Sequence, residues 1–194
     1  MCRGFGLGAA TGCWPPRCRV IDPAPTLRLA LDQNFPTPLI GAVSDYLPAD
    51  LEMKSLRRID PRLSELDDRT LFLALHHLGW HGLVTNNYKM LDVPAELAAI
   101  VRTQAVVVAV EGLGHDPLRA VGALLLELPG LSRRVLPRRS NVFRLAYRRR
   151  LAEDARTRFQ QVAERRGRVT DELWQEVRVS DDEFARARLT PKDS

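Results

Sequence analysis

The stretch TLRLALD, at residues 26–32, decides the fold class, because it has the pattern of a buried strand and ends on an acid. Its apolar residues first alternate with polar ones and then become continuous, which is typical of a strand that enters the interior of a sheet. The proline-containing segment DPAP precedes it at 22–25. We therefore predict the first strand of a sheet here, with Asp32 at its carboxyl end.

Strand and helix patterns alternate along the chain that follows. Short connections between such units favour a parallel sheet covered by helices on both faces. We therefore expect an α/β fold with three layers and a mostly parallel sheet of about four strands. The further predicted strands are LEMKSL (51–56), HGLVTN (81–86) and AVVVAV (105–110), and the predicted helices are PLIGAVSDYL (38–47), RTLFLALHHL (69–78), PAELAAIVRT (94–103) and DPLRAVGALLLEL (116–128), the last ended by Pro129 and Gly130.

The length of 194 residues, of which 45% are hydrophobic, predicts one domain with an appendage rather than two full domains. Residues 133–150 contain arginines and no acid, after which helical patterns of mixed charge resume. We place a domain at 26–132 and a basic, mainly helical extension at 133–194. The extension begins with a short extended piece, NVFRLAY (141–147), and continues with two helices, whereas residues 1–25 are predicted to be a disordered leader.

Charge and cysteine content narrow the class of protein. A formal net charge of +5 and a pI near 9.6 favour a polyanionic partner such as nucleic acid. The three cysteines all lie within residues 1–18, so no disulfide framework holds the fold and a reducing cytoplasm is expected. No apolar stretch approaches the roughly 20 residues that cross a bilayer, so we predict no membrane insertion.

The carboxyl ends of the predicted strands carry the candidate functional residues. Ligands of helix-covered parallel sheets bind at this edge. Acids gathered there repel one another unless a cation lies between them, and Mg²⁺ prefers oxygen ligands. The other interpretation is structural, with helix-capping aspartates and an asparagine turn. The candidates are Asp32 after strand one, Thr85, Asn86 and Asn87 after strand three, Glu111 after strand four, and Asp67 or Asp68 at a helix amino terminus.

Two motifs carry a resemblance to a known family. LALDQNFP (29–36) has an aspartate that closes strand one, and DDRTLFLALHHLGWHGLVTNN (67–87) has an aspartate that opens a helix before a strand with a Thr-Asn ending. Over residues 26–130 the chain resembles the PIN-like nucleases, above all the small PIN-like proteins of bacterial toxin–antitoxin systems of the VapBC kind. The resemblance implies a PIN-like fold and a ribonuclease dependent on Mg²⁺ or Mn²⁺. Its implied partners are RNA, an antitoxin protein and a second copy of the chain.

The resemblance also assigns residues. Asp32 and Asp68 correspond to metal-binding acids, and Asn34 to the polar residue beside the first of them. Thr85 corresponds to the hydroxyl before the third acid. Asn87 stands where the family has that third acid, and a neutral amide is a weaker ligand for Mg²⁺ than a carboxylate.

Three interpretations of Asn87 stay open. In the first, Glu111, Asp92 or Asp116 completes the metal shell from another position. In the second, Asn87 coordinates weakly and the enzyme is slow or needs Mn²⁺. In the third, the chain is a catalytically inactive PIN-like module that binds RNA or a protein partner.

The basic segment 133–150 is the predicted contact for an RNA backbone, because guanidinium groups neutralise phosphates while aromatic rings stack on bases. Phe143 and Tyr147 would supply the rings. A solvated surface, or a contact for an acidic antitoxin, is the alternative. The predicted nucleic-acid-binding residues are Asn34, Lys89, Arg133, Arg134, Arg138, Arg139 and Arg148.

Other chemistries have little support in the sequence. His77 and His81 are four residues apart, but Gly79 ends the helix between them and no third ligand follows at zinc spacing. The turn GLGHDP (112–117) has neither the Lys-Ser/Thr pair of a P-loop nor a dinucleotide fingerprint, so ATP and NAD are not supported. His115 in this turn is a candidate for substrate contact. A nucleotide-binding regulator that uses the glycines at 112–114 is a third hypothesis.

Overall fold

The computed structural model describes residues 26–35, 38, 41, 47–113, 116–146 and 149–189, with the backbone alone at 149–151. The predicted leader lies outside the described residues. So does most of the helix predicted at 38–47. For the rest of the chain the architecture is α/β, with a mostly parallel sheet flanked by helices.

Six strands in the described part of the chain form one sheet, in the order β2-β1-β3-β4-β5-β6. The first five are parallel, and β6 pairs antiparallel with β5 at the edge. Gly82 begins β3 at a point where a Cβ atom would lie 1.7 Å from the carbonyl oxygen of Val106 in β4, so the close approach requires glycine. The strands are β1 Leu27–Leu31, β2 Leu51–Ser55, β3 Gly82–Thr85, β4 Val106–Glu111, β5 Asn141–Ala146 and β6 Arg149–Glu153.

Helices cover both faces of the sheet. Their apolar sides fill two cores, and β4 contributes to both, with Val107 and Ala109 in one and Val108 and Val110 in the other. Helices α2, α3, α5 and α6 pack on the first core and α4 on the second. The helices are α1 Leu56–Ile59, α2 Asp68–His77, α3 Pro94–Thr103, α4 Pro117–Arg134, α5 Ala155–Arg165, α6 Thr170–Val177 and α7 Asp181–Arg186, with 3-10 helices at Pro61–Glu65 and Tyr88–Asp92.

The sheet is larger than predicted, because the segment assigned to the extension supplies two of its strands. β5 lies beside β4 and is buried, with Val142 in one core and Phe143 and Leu145 in the other. The predicted count of about four strands is therefore corrected to six among the residues described, and the sheet continues past residue 132. Residues 151–153, predicted as helical, belong to β6, and three helices follow rather than two.

Helix α4 also runs further than predicted. Pro129 and Gly130 were expected to end it, yet it continues through both to Arg134. Proline removes one backbone donor from the interior of a helix. Leu128 and Leu131, on either side of that pair, are both buried in the second core, and their packing holds the last turns in place.

The strand order reverses beside β1, which has β2 on one side and β3 on the other. Connections that leave β1 and β3 therefore depart in different directions and leave a crevice beyond their carboxyl ends. This crevice is where a sheet of this kind binds ligands. Asp32 and Thr85 lie at its two sides.

No helix in the described part of the chain is both long enough and apolar enough to cross a membrane.

Candidate functional site

Four side chains meet in the crevice between the ends of β1 and β3, and we call the group Asp32, Asp68, Thr85 and Asn87 the carboxyl-edge site. Asp32 is held by the sheet, since its backbone N–H donates to the carbonyl oxygen of Val84 at 3.0 Å. The Phe35 N–H donates to the Asp32 carbonyl at 2.9 Å, and the buried Phe35 ring anchors the loop. The Asp32 carboxylate thus extends from a fixed backbone.

Thr85 fixes the orientation of that carboxylate. Its side chain is fully buried, and its Oγ1 donates a hydrogen bond to Asp32 Oδ2 at 2.6 Å. The same oxygen accepts from the Asn87 backbone N–H at 2.9 Å. A single hydroxyl therefore connects the end of β1 to the turn that follows β3, and satisfies its own hydrogen-bonding capacity in a buried position.

Asp67 and Asp68 have different roles, which the sequence alone did not assign: one caps a helix and the other belongs to the carboxyl-edge site. Asp67 is the N-cap of α2, because its carboxylate accepts from the Thr70 backbone N–H at 3.0 Å and from Thr70 Oγ1 at 2.8 Å. Asp68 is not needed as a cap. Its Oδ2 instead accepts a hydrogen bond from Asn87 Nδ2 at 3.1 Å.

Electrostatics link Asp68 to Asp32. Burial raises the pKa of the Asp68 carboxyl, and the negative charges of Asp32 and Asp67 raise it further, whereas the Asn87 hydrogen bond acts in the opposite direction. Carboxylates from distant parts of the chain thus repel one another at this edge. A cation between Asp32 and Asp68 would relieve that repulsion.

Asn87 donates a side-chain hydrogen bond that an ionised aspartate in its place could not donate. Its amide donates to Asp68, whereas a carboxylate would add a further negative charge beside Asp32 and Asp68. Its neighbour Asn86 donates through Nδ2 to the Asn34 carbonyl at 3.4 Å, while the buried Asn86 Oδ1 accepts no hydrogen bond from the described residues. Asn34 and Lys89 are exposed at the same edge.

Glu96, in the first turn of α3, is a site residue that the sequence prediction missed. It is partly buried, and its Oε2 accepts no hydrogen bond from the described part of the chain. Burial, together with the charges of Asp68 and Asp67, raises the pKa of Glu96 to about 7. The sequence did show an acid in the first turn of the helix that follows the Thr-Asn-Asn turn. It could not show that this acid lies near Asp68, because that depends on how α2 and α3 pack.

The acids proposed to complete the metal shell are each held by an arginine. Both carboxylate oxygens of Glu111 accept from Arg144 Nη2, at 2.9 and 2.8 Å. Asp116 caps α4, accepting from the Arg119 backbone N–H at 3.0 Å, and also pairs with the Arg119 side chain.

Asp92, the other candidate, is paired in the same way with Arg158 and Arg165, at 2.6 and 2.7 Å. Within the described ranges, no three His, Cys, Asp or Glu side chains form a group that could hold a metal ion. All three candidates for the third acid thus pair with arginines, and their role as metal ligands stays a prediction.

Four of the arginines predicted to hold RNA lie at the opposite edge of the sheet. Helix α4 starts beyond the carboxyl end of β4 and returns to the amino end of β5, so Arg133 and Arg134 end it at the amino edge. Arg138 and Arg139 lie in the loop that enters β5. A six-residue strand separates the two edges by roughly 20 Å. Arg148 and His115 lie outside the described residues.

The expected aromatic platform also differs from the structure. Phe143 is 2% exposed in the second core, with the Arg134 guanidinium 5.1 Å from its ring centre, so the prediction that it stacks on bases is corrected. Successive side chains of a strand alternate between the two faces of the sheet, and both faces are covered here, so Phe143 is buried. Tyr147, the other predicted ring, is not among the described residues.

Among known proteins, no family model matches the chain, and searches of the curated proteins and of the solved structures return no match to it.

Proposed function

We propose that the chain is a PIN-like ribonuclease that depends on a divalent metal and cleaves phosphodiester bonds at the carboxyl-edge site. The observation that carries the proposal is the meeting of Asp32 and Asp68 at the crevice where the strand order reverses. The two acids are far apart in sequence, and the charge of Asp32 raises the pKa of Asp68. Their approach is therefore unfavourable when no cation lies between them. Such an arrangement is typical of a site that has a ligand.

The donor set fits Mg²⁺ or Mn²⁺. Mg²⁺ is commonly held by one or two carboxylates and keeps several waters, so Asp32 and Asp68 would suffice to hold it together with a substrate phosphate. Two acceptor oxygens nearby, Asn86 Oδ1 and Glu96 Oε2, have no partner in the described part of the chain. The bound metal would polarise the phosphate and lower the pKa of a water.

The other residues of the site would position its acids and the substrate. Thr85 holds Asp32 in one rotamer through the 2.6 Å hydrogen bond, and Asn87 orients Asp68 through its amide. Lys89 is exposed in the 3-10 helix directly after Asn87 and would attract a phosphate of the strand.

The test is the isosteric change Asp32→Asn, which keeps an acceptor for Thr85 but removes the charge. We expect cleavage of single-stranded RNA in Mg²⁺ or Mn²⁺ to fall by at least a hundredfold, and metal binding in calorimetry to be lost. Asp171→Asn, at an exposed acid of α6, is the matched control and should behave as the wild type. Undiminished cleavage by the Asp32 variant would reject the assignment.

A second candidate is a PIN-like module that binds RNA or a protein partner without cutting it. The hydrogen bond from Asn87 Nδ2 to Asp68 Oδ2 favours it, because that bond occupies an oxygen that a metal would use. Asn87→Asp separates the two candidates. In an enzyme the added carboxylate should increase Mn²⁺ affinity and rate. In a silent module the wild type should bind no metal at millimolar concentration.

The proposal extends to a cytoplasmic toxin that is inhibited by an antitoxin protein and forms a homodimer. Toxicity on expression, relieved by Asp32→Asn and by a co-expressed neighbouring gene, would support this. Harmless expression of a protein that cleaves RNA in vitro would remove the toxin part and keep the nuclease.

A further inference from the structure

A second charged cleft lies at the amino ends of the strands, at the opposite end of the sheet from the carboxyl-edge site. Its volume is about 480 Å³, within the range of small-molecule sites. Its polar lining comes from the end of α3, the loop before β5 and the start of α5. We call it the amino-edge cleft, and define it by Gln104, Arg138, Arg139, Ser140, Asp154 and Arg156.

The amino-edge cleft carries a surplus of positive charge. Three arginines line it against one acid, Asp154, which leaves a formal charge of +2. That acid is already engaged, since its Oδ1 accepts from the Arg156 backbone N–H at 2.7 Å and its Oδ2 from Ser140 Oγ at 3.3 Å. The Arg156 guanidinium, at the wall of the cleft, also lies 5.6 Å from the centre of the Trp174 ring.

Arg138 and Arg139 differ from several arginines that pack against the sheet. Arg28, Arg144 and Arg158 each pair with a carboxylate at 2.6 to 2.9 Å. The exposed guanidinium groups of Arg138 and Arg139 have no hydrogen bond or ion pair with any residue that the structure describes. Two adjacent unpaired cations repel each other, and an anion between them would remove that repulsion.

The backbone at Arg138 points to the same conclusion. Arg138 follows Pro137 in a turn and has a φ of +59°, in the left-handed region that glycine occupies at no steric cost. Among the described residues the other non-glycine φ above zero is at Gln104, which ends α3 in a common capping conformation and lines the same cleft. The folded backbone at position 138 is thus strained for arginine in a way that it would not be for glycine. Its guanidinium group offers a ligand-binding reason for its presence.

A smaller cavity of about 270 Å³ adjoins the cleft and shares Gln104, Arg138 and Arg139 with it. His76, Trp80 and His81 contribute to its lining, and the buried Trp80 ring has the Arg28 guanidinium 4.6 Å from its centre. Side by side, the two spaces provide a cationic compartment and a more enclosed, mainly apolar one. A nucleotide has the same two parts, a phosphate and a planar base.

We propose that the amino-edge cleft binds the phosphate of a nucleotide between Arg138, Arg139 and Arg156, with the base in the adjoining cavity. Guanidinium forks match the tetrahedral oxygens of phosphate, and the formal charge of +2 balances a phosphate dianion. The nucleotide is either free in solution or the end of an RNA strand. The proposal does not depend on cleavage at the carboxyl-edge site.

The decisive variant is Arg138→Gly, since glycine suits the φ of +59° and the turn is kept while the charge is removed. Calorimetric titration with adenosine monophosphate should show binding to the wild type and at least a tenfold loss of affinity in Arg138→Gly. Arg178→Ala, at an exposed arginine that ends α6, is the charge-matched control and should bind like the wild type. An unchanged or higher melting temperature of Arg138→Gly excludes misfolding as the cause.

Further titrations separate the sources of the ligand. A 5′-phosphorylated RNA trinucleotide that binds more tightly than its unphosphorylated form identifies a strand end, whereas binding of the mononucleotide alone identifies a free nucleotide. Inorganic phosphate binding as tightly as the mononucleotide removes the base from the proposal. Equal affinity in wild type and Arg138→Gly, or an equal loss in Arg178→Ala, overturns the proposal. Asp32→Asn should leave nucleotide binding intact, so this result is independent of the nuclease.

Discussion

The two edges of the sheet have opposite electrostatic character and were built in different ways. At the carboxyl edge, Asp32, Asp68 and Glu96 come from separate elements, and besides burial the charge of Asp32 raises the pKa of Asp68 and the charge of Asp68 raises that of Glu96. At the amino edge, Arg138 and Arg139 are neighbours in one loop. Acids that converge from distant positions need a fixed scaffold, whereas adjacent arginines need only a turn that faces a cleft. We therefore expect the proposed function at the first edge to be sensitive to the fold, and the proposed binding at the second to local sequence.

Gly82→Ala should have the largest effect on stability, because it disturbs the sheet that supports both edges. The new methyl group would overlap the Val106 backbone, which cannot move without breaking the β3–β4 ladder. We expect a loss of about 3 kcal/mol or more in the free energy of unfolding, measured with urea. Gly122→Ala in α4, where a Cβ meets nothing within 4 Å, is the control and should stabilise by about 0.5–1 kcal/mol. Similar stabilities for the two variants would contradict the close approach.

Thr85→Val should disturb the carboxyl edge alone. It keeps the shape of the side chain but removes the hydroxyl that bonds Asp32 and the Asn87 N–H. Losing these bonds in a buried position should cost about 1–3 kcal/mol of stability and reduce any cleavage further by freeing the Asp32 rotamer. Thr85→Ser should recover most of both losses. Nucleotide binding at the amino edge, measured by calorimetry, should not change, and a parallel loss there would show that the edges are coupled.

Glu96→Gln tests the charge at the carboxyl edge through pH. The folded pKa of Glu96, about 7, lies above the ordinary value of 4.5, so between these limits the folded protein holds a proton that the unfolded chain releases. Wild-type stability should therefore fall as pH rises from 4.5 to 7. Gln should remove this fall and stabilise the protein at pH 8 by about 1–2 kcal/mol, after allowing for solvent screening of a partly exposed group. Parallel pH profiles for the two proteins would contradict the assignment.

Arg138→Gly should have the smallest effect on stability and so sharpen the contrast between the edges. Relief of the left-handed backbone is offset by the greater freedom of glycine in the unfolded chain, so the free energy of unfolding should change by less than about 1 kcal/mol. Urea denaturation measures it. A loss well beyond that range would mean that the Arg138 side chain supports the fold rather than a ligand.

Much of this architecture followed from local pattern. The run at 26–32 and the later strand and helix patterns were predictable because a buried parallel strand is apolar throughout and an amphipathic helix repeats every 3.6 residues. β5 was misassigned to an appendage because its arginine-rich flanks masked an apolar core of Val142, Phe143 and Leu145. Composition describes the exposed ends of such a strand, whereas its membership in the sheet depends on a neighbour, β4, that lies far away in sequence.

The sequence by itself determined which chemistry is available: an aspartate at the end of β1, an aspartate pair at the start of α2, and a Thr-Asn-Asn turn after β3. Only the tertiary structure decided how these groups are paired. The sequence alone did not show that Arg144, 33 residues after Glu111, donates to both oxygens of the Glu111 carboxylate. Nor did it show that packing brings Glu96 near Asp68. The physical reason is that periodicity fixes the direction of a side chain within its own element, while the charge it meets depends on which elements become neighbours.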